Sequence, residues 1–201
     1  MRYFVTAIGT DSGKTLACAV LITALKANYW KPVQAGDPSD TDTLRDWFKG
    51  KQLKFFNEAY KLKKAASPHD AAEEEGIKLK ISDIIIPDSR KPLIIEGAGG
   101  LMVPLNEKEF MVDLALYLET EIILVADLYL GSINHTLLSI EMLKKKKCKV
   151  KGIIFNGPEN KASQDLILKY SKYDLLLHMK PEKEINDHVI NQYALALLKN
   201  F

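Results

Sequence analysis

Lys14 and Thr15 close a loop, Ala7-Ile8-Gly9-Thr10-Asp11-Ser12-Gly13, that leaves an apolar strand candidate, Tyr3-Phe4-Val5-Thr6, and enters a helix-patterned stretch from Leu16 to Ala27. Strand, glycine-bearing loop and helix in that order suit the binding of phosphate. Glycine lets backbone N–H groups turn inward on phosphate oxygens, and the lysine reaches the outer phosphates. The threonine hydroxyl is a Mg²⁺ ligand, and the helix presents its positive end to the anion. The segment therefore reads as a nucleoside triphosphate site. Its fit to GxxxxGK(S/T) is incomplete, because Ile8 stands where the first glycine is required and Gly9 comes one residue late. Taken alone, Gly13-Lys14-Thr15 is also compatible with a plain turn and helix start.

A second group of residues supports the first. Pro92-Leu93-Ile94-Ile95 is a buried-strand candidate that runs into Glu96-Gly97-Ala98-Gly99-Gly100. A carboxylate at the end of a parallel strand lies at the edge where doubly wound sheets bind ligands, so Glu96 is placed to face the loop's Mg²⁺. The glycines after it permit close backbone approach to phosphate or ribose, or form a tight turn with no ligand. Lys31 follows Tyr29-Trp30 at the exit of a short second strand, and Pro32 stops that strand from continuing regularly. This aims an ammonium at the same edge, although a solvated surface lysine is the commoner case. Asp40 and Asp42 precede a helix that the pattern starts near Thr43, where either could cap it, bind metal, or do both.

Taken together, these segments resemble the ATP-dependent dethiobiotin synthetase family. The resemblance rests on Tyr3-Phe4-Val5-Thr6 with Gly13-Lys14-Thr15, on Lys31-Pro32-Val33 with Gly36, and on Ser67-Pro68-His69. It extends to Glu96-Gly97-Ala98-Gly99-Gly100 and Leu130-Gly131-Ser132-Ile133-Asn134-His135, and covers residues 1 to about 157. The family's phosphate loop is longer than the strict pattern, and its first glycine is replaced here by Ala7. The resemblance implies ring closure of 7,8-diaminopelargonate with CO₂. One amine captures CO₂ as a carbamate, the carbamate oxygen takes the γ-phosphoryl group of ATP, and the second amine closes the ureido ring with release of phosphate. Such chemistry asks a protein for positioning and charge neutralisation.

The same resemblance implies roles by position. Lys14 and Lys31 are the expected catalytic residues, Lys14 on the β/γ-phosphates and Lys31 on the carbamate and transferring phosphoryl group. Thr15, Asp42 and Glu96 are the expected Mg²⁺ ligands, an oxygen-only set that suits this ion. ATP is expected against Thr10, Asp11, Ser12, Gly13, Gly97, Ala98, Gly99 and Asn156 as well. Substrate is expected against Thr10, Lys31, Ala35, Ser132, Ile133 and Asn134. Ser132 is a reasonable N-cap for the helix after it. In the family this helix start receives the substrate carboxylate across a dimer interface, so a homodimer with shared sites is expected. By themselves Asn134 and His135 are as readily capping or surface residues. The chain departs from the family at Ala35, where a hydroxyl is common, and at His178-Met179-Lys180-Pro181, a poor match to the strand exit near the adenine.

These residues need a scaffold that brings distant segments to one edge. Strand-like runs at 2–7, 29–34, 92–96, 121–126 and 149–156, with a weaker one at 173–178, alternate with helix-patterned stretches at 14–27, 42–49, 110–118, 132–146, 160–170 and 183–199. The alternation predicts a single-domain α/β fold, a doubly wound and mainly parallel sheet with helices on both faces. Residues 50–90 are ambiguous: Ile84-Ile85-Ile86-Pro87 ends a helix or forms a strand, and Glu73-Glu74-Glu75-Gly76 looks like a solvated helix end. At 201 residues and 47% hydrophobic content the chain suits one core, and its net charge of +2 gives no bulk attraction to nucleic acid or membrane. The run Lys144–Lys147 most simply complements a helix C-terminus. Cys18 and Cys148 are too far apart for a zinc pattern and read as reduced thiols of a cytoplasmic protein. Met1-Arg2 leads directly into the first strand, leaving no room for a signal peptide, and no apolar run is long enough for a membrane span.

Two other functions share parts of this pattern. A ParA- or MinD-like regulatory ATPase usually carries an additional early lysine in its phosphate loop, and none lies between Tyr3 and Gly13. An amide-forming synthetase related to cobyrinic acid diamide synthases needs a glutamine-hydrolysing domain, which this sequence does not contain.

Overall fold

The long apolar runs of the sequence form the centre of one parallel sheet. The computed structural model describes residues 1–201. In chain order the elements are β1 (Arg2–Ala7), α1 (Lys14–Leu25), β2 (Asn28–Trp30), β3 (Val33–Ala35), α2 (Asp40–Trp47), β4 (Phe55–Phe56), β5 (Tyr60–Leu62) and α3 (Pro68–Glu74). There follow β6 (Leu93–Gly100), α4 (Met111–Tyr117), β7 (Glu121–Asp127), α5 (Ser132–Lys145), β8 (Val150–Asn156), α6 (Lys161–Ser171), β9 (Leu175–Met179) and α7 (Asp187–Leu197). Seven strands pair in the order β4-β2-β6-β1-β7-β8-β9, every pair parallel. A small parallel pair, β3 with β5, stands beside them. The expected doubly wound α/β architecture is present.

Burial on both faces explains why β1, β6 and β7 read as unbroken apolar runs. Tyr3, Val5, Ile94, Ile123 and Val125 face α1 and α7, whereas Phe4, Ile95, Ile122 and Leu124 face the layer that contains α4, α5 and α6. Fully burying one such side chain stabilises the fold by about 1.5–3 kcal/mol. These central strands are therefore the rigid part on which the edge loops are carried. No helix is long and apolar enough to cross a membrane.

Three local features differ from the expectations. The run expected as one strand at 29–34 is two, because Lys31-Pro32 breaks the ladder and Pro32 instead accepts, through its carbonyl, the N–H groups of Ala59 and Tyr60 at 2.8 and 3.0 Å. The glycine run after Glu96 is strand rather than turn: Val5 pairs with Glu96, and after an irregularity Ala7 pairs with Gly100. Gly97 is required there by packing, since a Cβ would come within 2.8 Å of the Phe4 ring. Residues 84–86 form neither helix nor strand; a single 3-10 turn, Ile81–Asp83, precedes them. The acidic run 73–75 does close a helix, α3, at Glu74.

Candidate active site

All the parallel strands deliver their carboxyl ends to one edge, and a cleft of about 730 Å³ opens there between the loop after β1, the exit of β2, the start of α2 and the glycine run of β6. Gly13 is the N-cap of α1 and sits at φ 86°, a left-handed conformation that glycine adopts without a Cβ penalty. No side chain caps α1 and no acidic residue lies in its first turn. Its leading N–H groups therefore remain available to an anion. Lys14, the first residue of α1, is buried and rests its ammonium on the Gly9 carbonyl at 2.9 Å.

Behind the loop, Lys31 and Glu96 meet in a space almost closed to solvent, with the Asp40 side chain, 36% exposed, at its rim. Lys31 is 3% exposed and Glu96 is 1% exposed. The Lys31 ammonium lies 2.6 Å from Asp40 Oδ2 and 3.5 Å from Glu96 Oε1, and reaches the Gly97 carbonyl at 3.4 Å. Thr15 Oγ1 stands 3.0 Å from Asp40 Oδ1 and 3.1 Å from Glu96 Oε1. The Tyr29 hydroxyl donates to Glu96 Oε2 at 2.9 Å. Burying an ammonium costs several kcal/mol, whereas one ion pair near 4 Å recovers about 4 kcal/mol at an effective dielectric constant of about 20. Two carboxylates decide the balance in favour of charge.

Titration follows from this packing. For Lys31, burial pulls the pKa down but Glu96 and Asp40 outweigh it, so the ammonium is held above its ordinary value. Lys14 is pulled below its ordinary value by burial, with Glu96 opposing and Lys31 adding to the shift. Burial also pushes the Glu96 carboxyl up, against the attraction of Lys31 and with the Asp40 charge adding to the rise. Burial acts in the same direction on Asp40, but the charge and hydrogen bond of Lys31 prevail and its carboxyl lies below the usual range. Tyr29 is pushed well up by burial and by the Glu96 charge, so its hydroxyl remains a proton donor.

Lys14, Thr15, Lys31 and Glu96 thus come together, and Thr10, Asp11, Ser12, Gly13, Ala35, Ala98 and Gly99 line the same cleft. Gly97 enters through its carbonyl alone. Asn156 flanks the loop, its amide donating to the Ser12 carbonyl at 3.2 Å and lying against Gly13. Asp42 is not part of the cluster and must be corrected. Helix α2 begins at Asp40 rather than near Thr43, with Ser39 as its N-cap. The Asp42 N–H donates to Ser39 Oγ at 3.0 Å, and the Ser39 hydroxyl donates to Asp42 Oδ2 at 2.7 Å. The remaining oxygen of Asp42 turns outward to Arg45 at 3.1 Å. Asp40, two residues earlier on the helix, faces Lys31 and Thr15 instead. The signal was in the chain: Ser39-Asp40-Thr41-Asp42 has serine followed three residues later by an acid, a capping-box spacing that places Asp42 at the cap.

Ser132, Ile133 and Asn134 lie outside the cleft lining. Ser132 is the first residue of α5 and not its N-cap, which is Gly131 at φ 98°. Its buried hydroxyl accepts the Tyr129 N–H at 3.3 Å, while Asn134 is exposed and His135 Nδ1 meets the Tyr129 hydroxyl at 2.6 Å. Sequence reasoning left Gln34 unassigned and missed Tyr29. Gln34 is buried, donates to the Ala35 and Gly36 carbonyls at 3.1 and 2.9 Å and accepts the Asp40 N–H at 3.3 Å. It thereby ties the start of α2 to β3.

Oxygen donors, two buried cations and an uncapped helix start are the kinds of group that a cation and a phosphate require of a protein. Comparison with known proteins agrees. A family model described as an AAA domain matches residues 1–189. The chain is 50% identical over 202 residues to the ATP-dependent dethiobiotin synthetase BioD of Cytophaga hutchinsonii, covering all of this chain and 98% of that one. It is 47% identical over 194 residues to the protein of the same name from Christiangramia forsetii, covering 96% and 93%. Among solved structures, the septum site-determining protein MinD of Pyrococcus horikoshii, complexed with Mg-ADP, superposes with a TM-score of 0.56 at 16% identity over 98% of this chain and 94% of that one, a likeness of fold alone. With half of its residues shared along the full length of an established relative, the chain belongs to the ATP-dependent dethiobiotin synthetase family.

Proposed function

We propose that this chain is an ATP-dependent cyclo-ligase that converts 7,8-diaminopelargonate and CO₂ to dethiobiotin through a carbamate and a carbamic-phosphoric anhydride. The observation that carries the reading is the meeting of Lys14, Thr15, Lys31, Asp40 and Glu96 in one cleft at the carboxyl edge of a parallel sheet. Family membership supports it, since the relatives' names give both the nucleotide dependence and the product.

The donor set fits Mg²⁺. The Thr15 hydroxyl has one proton but two carboxyl oxygens within 3.1 Å, so with both carboxyls ionised one of these contacts has no hydrogen between oxygens. Thr15, Asp40 and Glu96 would hold a hard cation there, which would relieve that crowding and supply charge neutralisation for phosphoryl oxygens. The protein's own groups do the rest. The loop N–H groups and Lys14 hold the triphosphate. Lys31, kept charged by its two carboxylates, stabilises negative charge where the carbamate and the transferring phosphoryl group meet. Gln34 keeps Asp40 in place against Lys31. The start of α5, with Ser132, Ile133 and the exposed Asn134, serves the substrate carboxylate of the other protomer in a homodimer.

The test is direct. Purified protein incubated with diaminopelargonate, bicarbonate, Mg²⁺ and ATP is expected to release phosphate only when the diamine is present and to form dethiobiotin detectable by mass spectrometry. Absence of both products rejects the assignment. In the same assay Lys31→Ala is expected to lose turnover by about a hundredfold or more while retaining nucleotide affinity.

A further inference from the structure

Glu96 has two oxygens with separate environments. Oε1 faces Thr15 at 3.1 Å and Lys31 at 3.5 Å, on the cleft side. Oε2 faces inward and receives the Tyr29 hydroxyl at 2.9 Å, a buried contact between residues 67 apart in sequence. Register explains the encounter. Tyr29 of β2 pairs with Ile94 of β6, and Glu96 lies two residues beyond Ile94, so all three side chains project to the face covered by α1. The Tyr29 ring is fully buried and packs at 5.9 Å from the Phe55 ring, so the position of its hydroxyl is set by the core and not by the cleft.

We infer that Tyr29 is the positioning residue for Glu96: by donating to Oε2 it fixes the carboxylate and presents Oε1 alone to the cation at Thr15 and Asp40. A carboxylate on a rotatable side chain otherwise offers either oxygen, or both, to a metal ion. Hydrogen-bond donors behind a ligand orient it and raise the affinity of the site, commonly by 10- to 100-fold. Phenylalanine at this position keeps the ring and its burial but removes the phenol donor, leaving the buried carboxylate with the weakly donating Cys18 thiol as its other neighbour from the core.

The inference rests on the reading of Glu96 as a cation ligand, and the experiment separates the two. Mn²⁺ binding in the presence of ADP is measured by loss of the free-ion electron paramagnetic resonance signal, for the wild type, Tyr29→Phe, Glu96→Gln and the double variant, with thermal melting as a check on folding. Tyr29→Phe is expected to weaken Mn²⁺ by about tenfold or more, with metal-free ADP affinity within about twofold. The double variant is expected to match Glu96→Gln, because Tyr29 acts through that carboxylate. Replacement of Tyr29 by p-aminophenylalanine, which keeps a donor of similar reach, is expected to restore most of the loss and carries the test if the phenylalanine variant does not fold. Unchanged Mn²⁺ affinity in Tyr29→Phe with a loss in Glu96→Gln overturns the role of Tyr29. So does a further loss in the double variant. No loss in Glu96→Gln overturns the reading of Glu96 and the inference with it.

Discussion

At the scale of single residues, the assignment of the second acidic ligand is the sharpest point to test. Asp40 contacts Lys31 and Thr15, whereas Asp42 serves the helix cap and the surface. Asp40→Ala is expected to lower turnover by about a hundredfold or more, since it removes one partner of a buried cation and one oxygen of the metal set. Asp42→Ala is expected to keep turnover within about threefold and to lower the melting temperature by a few degrees, the effect of losing roughly 0.5–1 kcal/mol at a cap. Steady-state kinetics and a melting curve on both variants decide it, and the reverse ranking would return the role to Asp42. This also shows which site residues were legible in the chain. Lys14, Thr15, Lys31 and Glu96 could be read because each lies at the exit of an apolar run, and strand exits share an edge in a parallel sheet. Asp40 was harder, because two acids two residues apart differ only in which faces the cleft, and that depends on where the helix starts. Tyr29 had no signal: a tyrosine in a short apolar strand reads as core, and its hydroxyl partner is remote in sequence.

At the scale of elements, the junction between β1 and α1 controls nucleotide binding. Gly13 holds φ 86°, and a Cβ there would come within 2.6 Å of the Asn156 amide nitrogen. Gly13→Ala therefore meets two costs, a left-handed alanine at about 1–2 kcal/mol and displacement of Asn156 from the loop. Titration calorimetry with ATP and Mg²⁺ is expected to show at least about a tenfold loss of affinity, with the seven-stranded core still folded by circular dichroism. Wild-type affinity would mean that the loop does not bind phosphate in the conformation described. The same strand-and-loop logic explains which elements could be read beforehand. Long runs such as Glu121–Asp127 and Val150–Asn156 are covered on both faces and announce themselves by composition. β4 and β5 do not, because two or three residues carry no period, and their pairing is decided by β2 and β3 rather than by local preference. Pro32 was recognised as an obstacle to β2, but its consequence, a second small sheet, depends on a partner strand that the local sequence does not reveal.

At the scale of the whole molecule, the role proposed for the start of α5 requires a second protomer, because this helix end lies outside the cleft lining. Leu130 is wholly exposed, and Tyr129 and Leu138 are 46% and 61% exposed. Asn134, His135 and Leu138 share the outer side of the first two turns of α5, so an apolar margin surrounds the residues assigned to the substrate carboxylate. In the proposed homodimer a two-fold axis makes each such contact twice. Burying a leucine stabilises by about 1.5–3 kcal/mol, so two copies of Leu130 supply a substantial part of a micromolar association. Leu130→Glu replaces that contribution with a carboxylate that resists burial. Sedimentation velocity is expected to show a dimer for the wild type and a monomer for the variant at the same micromolar concentration. Turnover is expected to fall by at least about tenfold, because the substrate contact from the second protomer is lost. Nucleotide affinity should stay within about threefold, because Lys14, Thr15, Asp40 and Glu96 come from one chain. A wild-type protein that sediments as a monomer while fully active would remove the shared site from the proposal and leave the cleft of a single chain to bind both substrates.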